Sequence, residues 1–297
     1  MRRKMREMKQ YDSFKAALLD TIGTGDVTIQ PVSGGDINCA YRLSGNGQHV
    51  FMKANREKNI DFFVAEVAGL RAIAETRTIR VPEVLAIGRD GKYGAFLLLE
   101  WSRGTPSAKF FENFGHRLAE MHKAETGGIV KGFGFSMDNY IGAGKQENTP
   151  KENWTEFFRD HRLAPQLRKA DYWFDSTDRK RITRLLDNLG DYLPEPDFPS
   201  LLHGDLWSGN YIIGNDGEAW LIDPAVYVGH AEADLAMTEL FGGFPGRFYE
   251  AYNEVNRIDA GYKARRDLYN LYHLLNHLNL FGGWYLGEVK EILRRYS

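Results

Sequence analysis

The sequence predicts an α+β fold with two lobes, in which a strand-rich N-terminal part precedes a mostly helical C-terminal part. Within the first hundred residues, short β-branched and apolar runs recur between glycine-rich turns, a pattern typical of a sheet. One stretch there changes to helical spacing, because an apolar stripe runs from Phe63 to Ala74. Beyond Trp101 nearly every apolar stripe has the helical period. We therefore expect an N-terminal lobe over residues 1–101, with a five-stranded antiparallel sheet and one main helix, and a helical C-terminal lobe over residues 102–297.

The elements of the first lobe follow from where the runs and turns fall. Strands are predicted at residues 27–32, 39–43, 50–53, 84–87 and 95–100. The main helix is predicted from about Asp61 to Glu75, with Glu66 off its apolar stripe. A glycine-rich turn at residues 33–36 separates the first two strands.

The second lobe begins with a loop at residues 102–106, which follows the last strand of the predicted sheet. Helical stripes are predicted within residues 111–121, 154–158 and 268–278. A short apolar strand is predicted at residues 219–222. Residues 132–144 are rich in glycine and aromatic side chains and are too irregular for a regular element, and long loops of this kind tend to be functional.

Composition excludes several classes of protein. Thirty-eight basic and forty acidic side chains give a formal charge of −2, so no global positive field is present to bind nucleic acid or an anionic membrane. No apolar run has the length of a membrane span, and the start of the chain lacks the apolar stretch of a secretory signal. The single cysteine, Cys39, excludes an internal disulfide and is expected to be a small buried residue. These features predict a cytoplasmic location.

A group of acids and an amide in the second lobe has the pattern of a phosphoryl-transfer site. Such a site needs a base near the acceptor hydroxyl, metal ligands, and a cation on the nucleotide phosphates. The run His203-Gly-Asp205 is followed by Asn210, which is the spacing of the catalytic loop of protein kinases. Asp205 is therefore the predicted catalytic base. Asn210 and Asp223, the latter at the end of an apolar strand, are predicted Mg²⁺ ligands because hard oxygen donors suit that ion.

Each acid alone also has a plain structural interpretation. Asp205 could form a turn, and Asp223 could simply end a strand. The joint pattern is much rarer than either residue by itself. It favours a protein-kinase-like fold that uses ATP and Mg²⁺.

Lys53 and Glu66 are the predicted ion pair of the nucleotide site, so residues 1–101 are the predicted nucleotide-binding lobe and residues 102–297 the predicted catalytic and substrate lobe. Lys53 ends the third predicted strand and Glu66 lies in the following helix, which is the order found in kinases. The lysine would neutralise phosphate charge and the glutamate would orient the lysine. A lone lysine at a strand end is usually a solvated surface residue, so this interpretation depends on the presence of Asp205.

Two further segments are candidates for nucleotide contacts. Gly34 and Gly35 would form a turn over the phosphates, because glycine lets backbone N–H groups approach an anion closely. The turn lacks a full G-x-G-x-x-G pattern and is not a P-loop, so a plain hairpin stays open as an alternative. Glu100 and Trp101 occupy the position of the hinge whose backbone would meet adenine.

Motifs along most of the chain match one kinase family. They lie at residues 34–35, 51–53, 63–66, 118–122, 202–210, 222–227, 235–244 and 272–283. The most specific are Leu-Trp-Ser-Gly-Asn, which ends at Asn210, and Glu-Leu-Phe-Gly-Gly-Phe, which ends at Phe244. Through these segments the chain resembles the fructosamine kinase (ketosamine kinase) family, a branch of the aminoglycoside-phosphotransferase-like kinases.

The resemblance implies transfer of the ATP γ-phosphoryl group to O3 of a ketosamine, the adduct that a sugar forms with an amine. The product is unstable, so the reaction would repair a glycated metabolite or a glycated protein. Some family members carry a cysteine in the glycine-rich turn, where this chain has Asp36. A redox-controlled dimer is therefore not implied, and we expect a monomer or a weak dimer.

Two residues are candidates on the substrate side. Trp207, next but one to the predicted base, could stack on the apolar face of a sugar, or it could anchor the loop in the core. Asp234 lies in the family-like region after the second metal candidate. It could support the site, or it could be a surface or capping acid.

Two other functions stay open at this point. A kinase of the same fold could act on an aminoglycoside, choline or another small alcohol, because the motif does not encode the acceptor. A cationic acceptor would need an acidic cleft. The sequence argues mildly against one, because three basic residues, Lys263, Arg265 and Arg266, lie close together. A pseudokinase that serves as a binding scaffold usually lacks the base or a metal ligand, and this chain has a candidate for each.

Overall fold

A six-stranded sheet forms the N-terminal lobe of the computed structural model, which describes residues 9–32 and 38–296. The strand order is β1-β5-β6-β4-β3-β2, and every neighbouring pair is antiparallel except β1 with β5. The elements in chain order are β1 (Gln10–Tyr11), α1 (Phe14–Ile22), β2 (Thr28–Pro31), β3 (Cys39–Gly45), β4 (Gln48–Asn55), α2 (Ile60–Thr76), β5 (Val84–Asp90) and β6 (Gly94–Glu100).

The predicted count of five antiparallel strands is wrong by one strand, because β1 is parallel and was not foreseen. It has only two residues, and so short a segment carries no periodic signal. Tyr11 of β1 pairs with Gly88 of β5. A Cβ atom on Gly88 would lie 2.2 Å from the carbonyl oxygen of Tyr11, so only glycine allows this close approach. The helix α1, which Ser13 caps, was also not predicted.

The two faces of the sheet carry separate apolar layers. Phe14 of α1 packs with Phe96 on one face. Phe63 and Val67 of α2 pack with Leu97 on the other face. Neighbouring residues of β6 thus point to opposite sides, as a strand requires. The predicted apolar stripe of α2 is confirmed as its sheet-facing side from Phe63 to Leu70, whereas Ala74 at its end is exposed.

The second lobe is mostly helical, as predicted, and contains three two-stranded sheets among the described residues. Its long central helix is α10, most of whose residues are buried. The elements are α3 (Phe110–His122), β7 (Asn139–Ile141), β8 (Gly144–Gln146), α4 (Trp154–Phe158), α5 (Ala164–Lys169), α6 (Ser176–Asp187), α7 (Leu189–Tyr192), β9 (Ser200–Leu202), β10 (Tyr211–Ile213), β11 (Ala219–Leu221), β12 (Tyr227–Gly229), α8 (Glu232–Leu240), α9 (Gly246–Val255), α10 (Tyr262–Phe281) and α11 (Leu286–Arg295).

Residues 132–144 are more regular than predicted, because β7 and most of the turn to β8 lie within them. Each strand of this hairpin has three residues, too few for a periodic signal. The hairpin is fixed instead by tertiary contacts, such as the hydrogen bond of 2.7 Å from Asn139 Nδ2 to the carbonyl of Val226. The strand predicted at residues 219–222 is confirmed as β11.

Two expectations about the surface have different outcomes. No helix within residues 9–32 and 38–296 is long and apolar enough to cross a membrane. Cys39 is exposed, so the prediction of a buried cysteine is wrong. In β3 only Leu43 is buried, and the start of the strand lies beyond the apolar layer of the sheet.

Candidate active site

Lys53, Glu66 and Asp223 meet where the two lobes face each other. Lys53 Nζ lies 2.7 Å from Glu66 Oε1 and also forms an ion pair with Asp223 Oδ1. The Lys53 side chain is buried, whereas 40% of the Asp223 side chain is exposed. Asp223 has a φ of 55°, which residues with a side chain rarely adopt and which is found at turns, at helix ends and at functional sites. The predicted lysine–glutamate ion pair is therefore present, with an exposed carboxylate beside it.

The sheet and α2 together position this trio. The strand β4 lies between β3 and β6, so the backbone of Lys53 is fixed from both sides. Gly69, three residues after Glu66 on α2, faces the second lobe. A Cβ atom on Gly69 would lie 3.1 Å from side-chain atoms of both Pro224 and Val226. The glycine thus lets α2 approach the segment that follows β11.

Hydrogen bonds to the segment after β11 hold the predicted catalytic loop. His203 donates from Nε2 to the carbonyl of Ile222 at 2.9 Å and accepts at Nδ1 from the amide of Asp205 at 3.3 Å. These partners define the neutral tautomer with hydrogen on Nε2, and burial lowers the pKa of His203. Gly204 has a φ of 82°, and a Cβ atom there would lie 2.1 Å from the carbonyl oxygen of Ala225. The loop backbone therefore packs directly on that segment.

The predicted base, Asp205, lies beside the predicted ligand Asn210. Asn210 Nδ2 donates to the backbone carbonyl of Asp205 at 2.7 Å and to its Oδ2 at 3.0 Å. Burial raises the pKa of Asp205 to about 7; the bond from Asn210 opposes the rise and the charge of Asp234 adds to it. Its side chain still has 21% of its surface exposed. A reachable carboxylate with a pKa near neutral pH is well suited to act as a general base.

Asp234 supports the loop from its buried side. Its Oδ2 accepts from the amide of His203 at 2.7 Å, and its Oδ1 accepts from the amide of Gly204 at 2.9 Å. His122 Nε2 lies 3.2 Å from Oδ2, and His122 Nδ1 lies 2.7 Å from the hydroxyl of Tyr252. Burial acts to raise the pKa of Asp234, but the bonds from His122 and Gly204 hold it below its ordinary value. The carboxylate is 2% exposed, which leaves no surface for a substrate contact.

Asn210 and Asp223 each keep an oxygen suited to Mg²⁺. Asn210 uses its Nδ2 for Asp205, and within the described part of the chain no hydrogen bond reaches its Oδ1. Asp223 uses Oδ1 for Lys53 and keeps Oδ2. No cluster of three or more His, Cys, Asp or Glu side chains that could hold a metal occurs within residues 9–32 and 38–296. The free oxygens of Asn210 and Asp223 fit Mg²⁺ that takes further ligands from nucleotide phosphates, which is a common arrangement for this ion.

The remaining nucleotide-side candidates have separate outcomes. Gly34 and Gly35 lie outside the described residues. Glu100 ends β6, and its amide donates to the carbonyl of Glu83 at 2.8 Å. The ring of Trp101 lies 5.3 Å from the guanidinium of Arg42. The carbonyl of Trp101 accepts from Asn215 Nδ2 of the second lobe at 3.5 Å, so this segment lies where the lobes meet. The contact of Glu100 and Trp101 with adenine stays a prediction.

The structure supports part of each interpretation of Trp207. Its side chain is 38% exposed, so it is not a buried anchor. Its ring nevertheless packs edge-on against Phe241, with centroids 6.3 Å apart. One part of the indole is thus held by the protein and another part is open to a ligand.

His273 of α10 lies beside the predicted base, although sequence reasoning assigned it no role. Its Nδ1 is 4.0 Å from Asp205 Oδ1 and has no hydrogen-bond partner in the part of the chain that the structure describes. Burial lowers the pKa of His273 to about 3, so the imidazole is uncharged. Residues 272–283 were noted only for their family-like sequence. Helical spacing alone does not show which face of α10 reaches the catalytic loop.

The hairpin of β7 and β8 contacts the site from three directions. Tyr140 stacks on Phe62 of α2, with ring centroids 3.9 Å apart and planes 12° from parallel. Gln146 Nε2 donates to the carbonyl of Ala225 at 3.1 Å. The hydroxyl of Tyr272 on α10 donates to Gln146 Oε1 at 2.6 Å. The hairpin therefore joins α2, the segment after β11, and α10.

Comparison with known sequences finds similarity over both lobes. A family model described as fructosamine kinase matches residues 12–297. A probable ketoamine kinase of Synechocystis sp. is 43% identical over 269 residues, which cover 89% of this chain and 88% of the relative. The chloroplastic protein-ribulosamine 3-kinase of Arabidopsis thaliana is 42% identical over 275 residues, which cover 90% of this chain and 82% of the relative.

Comparison with solved structures confirms the two-lobed, kinase-like fold. A Thermobifida fusca protein provisionally described as a fructosamine-3-kinase has a TM-score of 0.82 at 32% identity, over 96% of this chain and 99% of that protein. The aminoglycoside phosphotransferase APH(4)-Ia, in a complex with AMP-PNP and hygromycin B, has a TM-score of 0.64 at 18% identity, over 95% of this chain and 98% of that one. At that identity the second similarity concerns the fold alone.

Proposed function

Because this chain belongs to the fructosamine kinase family, we propose that it transfers the γ-phosphoryl group of ATP to the 3-hydroxyl of a ketosamine. The observation that carries this proposal is the adjacency of two groups of side chains, which together are Lys53, Glu66, Asp205, Asn210 and Asp223. Lys53 pairs with Glu66 and Asp223, and Asn210 bonds Asp205. The amide of Ile222, next to Asp223, links the two groups because it donates to the carbonyl of Asn210 at 3.0 Å. Together they include a candidate for each task of phosphoryl transfer, which a scaffold without catalysis would not need.

In the proposed reaction the sugar hydroxyl attacks the γ-phosphorus and loses its proton to Asp205. The new bond joins O3 to phosphorus, and the bond from that phosphorus to the β–γ bridging oxygen breaks to release ADP. The raised pKa of Asp205, about 7, suits this proton transfer near neutral pH. Lys53, oriented by Glu66, would place a positive charge on the nucleotide phosphates. Mg²⁺ would be held by the free oxygens of the two predicted ligands, and when bound it neutralises phosphate charge.

Family membership, more than charge, supports a ketosamine as the acceptor. The relatives above 40% identity are named for ketoamines and for protein-bound ribulosamine. The charges of Arg265 and Arg266 are neutralised by ion pairs with Glu232 and Glu239. These arginines therefore no longer argue against a cationic acceptor such as an aminoglycoside. The aminoglycoside phosphotransferase shares the fold, and a fold does not specify an acceptor.

The proposal extends to the setting of the reaction. The acceptor would be a glycated protein or a glycated metabolite, and the unstable 3-phosphate would lead to release of the amine. A cytoplasmic location is proposed from the single cysteine of the chain. A monomer or weak dimer is proposed because Asp36 occupies the position at which some family members carry a cysteine.

A panel assay tests the proposed function. The purified protein would be given Mg·ATP with ribulosyl-lysine, fructosyl-lysine, an aminoglycoside or choline, and ADP release would be measured. We expect turnover of at least one ketosamine with phosphate on O3, as located by NMR, and almost none with Asp205→Asn. Turnover of only the aminoglycoside or choline would contradict the acceptor. No turnover of any compound would contradict the enzymatic role.

A further inference from the structure

A series of aromatic rings leads away from the catalytic loop along the second lobe. It begins at Trp207, whose ring centroid lies 6.3 Å from that of Phe241. The ring of Phe241 lies 5.0 Å from that of His277. His277 in turn lies 5.5 Å from Phe281 and 5.2 Å from Tyr285. These five residues are called the aromatic track below.

The aromatic track is open to solvent at both ends. Trp207 is 38% exposed and Phe281 is 52% exposed. Trp284, next to the last member of the track, is 94% exposed. Single exposed apolar residues are common on protein surfaces, but a contiguous set of large ones usually marks a recognition surface. The track therefore has the character of a binding surface that adjoins the active site.

The helix α10 aligns the track with the catalytic base. His273, His277 and Phe281 follow one another at intervals of four residues, so they lie on one face of the helix. His273 Nδ1 is 4.0 Å from Asp205 Oδ1, whereas Phe281 is the last residue of α10. With a rise of about 1.5 Å per residue, the two ends of this face are about 12 Å apart along the axis. The track thus extends outward from the place where the acceptor hydroxyl would react.

The chemistry of the track favours an alkyl amine as its ligand. Burial lowers the pKa of His277, so its imidazole is uncharged at neutral pH, and the other four members carry no formal charge. Aromatic faces attract cations, and they also bury methylene groups well. A track of this kind offers nothing to neutralise a phosphate or a carboxylate.

We propose that the aromatic track binds the carrier side of the substrate, namely the methylene stem of a glycated lysine and the polypeptide next to it. The inference rests on the proposed function, which places the sugar at Asp205. The amine is attached at C1 and the reacting hydroxyl at C3, so the stem leaves the site close to Trp207. The secondary ammonium group and the stem both suit aromatic faces. A small ketosamine would end before Phe281, so the outer track serves a lysine that is part of a polypeptide.

The substitution Phe281→Ala tests this inference with two substrates. One is a peptide with a central ribulosyl-lysine, and the other is ribulosyl-methylamine, which has no stem. We expect KM for the peptide to rise about tenfold, from the loss of one aromatic contact, while kcat and KM for ATP stay unchanged. KM for the methylamine adduct should not change. Phe281→Trp should restore the peptide KM, and Phe198→Ala, at an aromatic residue outside the track that is 38% exposed, is the matched control.

Trp284 is not a member of the track, but it precedes Tyr285 at the outer end and its exposed ring would face the polypeptide of a bound substrate. Trp284→Ala should therefore raise KM for the peptide and not for the methylamine adduct, at a side chain so exposed that folding does not depend on it. An unchanged peptide KM in both variants would overturn the inference. Equal rises in KM for both substrates would also overturn it, because the stem-free substrate cannot reach the outer track. Failure of the proposed function itself would give a different result, namely no turnover of either substrate by the unaltered protein.

Discussion

Replacement of Phe62 or Tyr140 by alanine should lower the efficiency with which the enzyme uses ATP. Their rings form the stacked contact between α2 and the hairpin of β7 and β8, with centroids 3.9 Å apart. Phe62 lies one helical turn before Glu66 on α2, and Glu66 orients Lys53 at 2.7 Å. The contact therefore bears on the position of the ion pair that we propose to bind the nucleotide, although neither ring belongs to that pair.

The size of the effect follows from the energy of the stack. Stacked aromatic pairs contribute about 0.5–1.5 kcal/mol beyond the area that they bury. If the stack forms only when α2 has its present position, its loss lowers the equilibrium constant for that position by about 2- to 12-fold, so the population falls by at most that factor. We expect kcat/KM for ATP to fall by up to about 12-fold. KM for the ketosamine should stay constant, because Asp205 is held by contacts within the second lobe.

A double-mutant cycle with steady-state kinetics measures this coupling. Phe62→Ala, Tyr140→Ala and the double variant should lose similar efficiency, which corresponds to a coupling energy of about 0.5–1.5 kcal/mol. Tyr140→Phe keeps the ring and should behave like the unaltered protein. Tyr172→Ala, at a tyrosine that is 70% exposed, is the control for a general loss of aromatic surface. Additive losses in the double variant would refute the reasoning, as would a change confined to the ketosamine KM.

Four further predictions concern the base, the metal, the sheet and the buried acid. Asp205→Asn should lower kcat by about 100-fold or more with little change in KM for ATP, and near-normal turnover would remove the proposed base. Asp223→Asn should lower kcat by about 100-fold or more and shift the Mg²⁺ titration of activity to higher concentration, whereas an unchanged titration would contradict its role as a ligand. Gly88→Ala should lower the free energy of unfolding in urea by about 2 kcal/mol, because the new Cβ atom would lie 2.2 Å from the carbonyl oxygen of Tyr11 in β1. Gly91→Ala is the control, since a Cβ atom there would have no neighbour within 4 Å. The pKa of Asp234 is lower in the folded protein than its ordinary value of 3.8, so the ionised carboxylate stabilises the fold at pH values above 3.8. This stabilisation is lost as the pH falls through the folded pKa, and Asp234→Asn should therefore flatten the acid side of a plot of unfolding free energy against pH. An unchanged slope would count against the assignment.

Residues that carry chemistry were predictable where they fall into short patterns. Asp205 and Asn210 lie on one loop, and their spacing is visible without any tertiary information. Lys53 and Glu66 follow from the order of a strand and a helix, which periodicity shows directly. The contact of Lys53 with Asp223 spans 170 positions of the chain, and it could be expected only because kinases combine these residues.

Features that depend on tertiary contacts were not predictable in the same way. The two-residue strand β1 forms because its backbone pairs with the edge of β5, where Tyr11 lies opposite Gly88. The sequence of β1 by itself does not predict this pairing. Asp234 appears in sequence as an ordinary acid near a helix start, yet its oxygens accept from amides 30 and 31 positions away. His273 has the same helical spacing as its core neighbours. Only the fold shows that this face of α10 meets the catalytic loop.

The parts of the site that we propose for catalysis and for binding of the acceptor are held by different contacts. The catalytic loop is fixed by Asp234 from α8 and by backbone groups of Ile222 and Ala225, all of them on its buried side. The outer track, by contrast, lies on exposed rings at the end of α10, and none of those loop contacts involves Phe281. Because contacts without shared partners affect the free energy nearly independently, substitutions at the end of α10 should change acceptor preference without changing the rate of phosphoryl transfer. Substitutions that change acceptor preference are therefore expected at the end of α10. Substitutions that abolish catalysis are expected in the catalytic loop and in the buried residues that hold it.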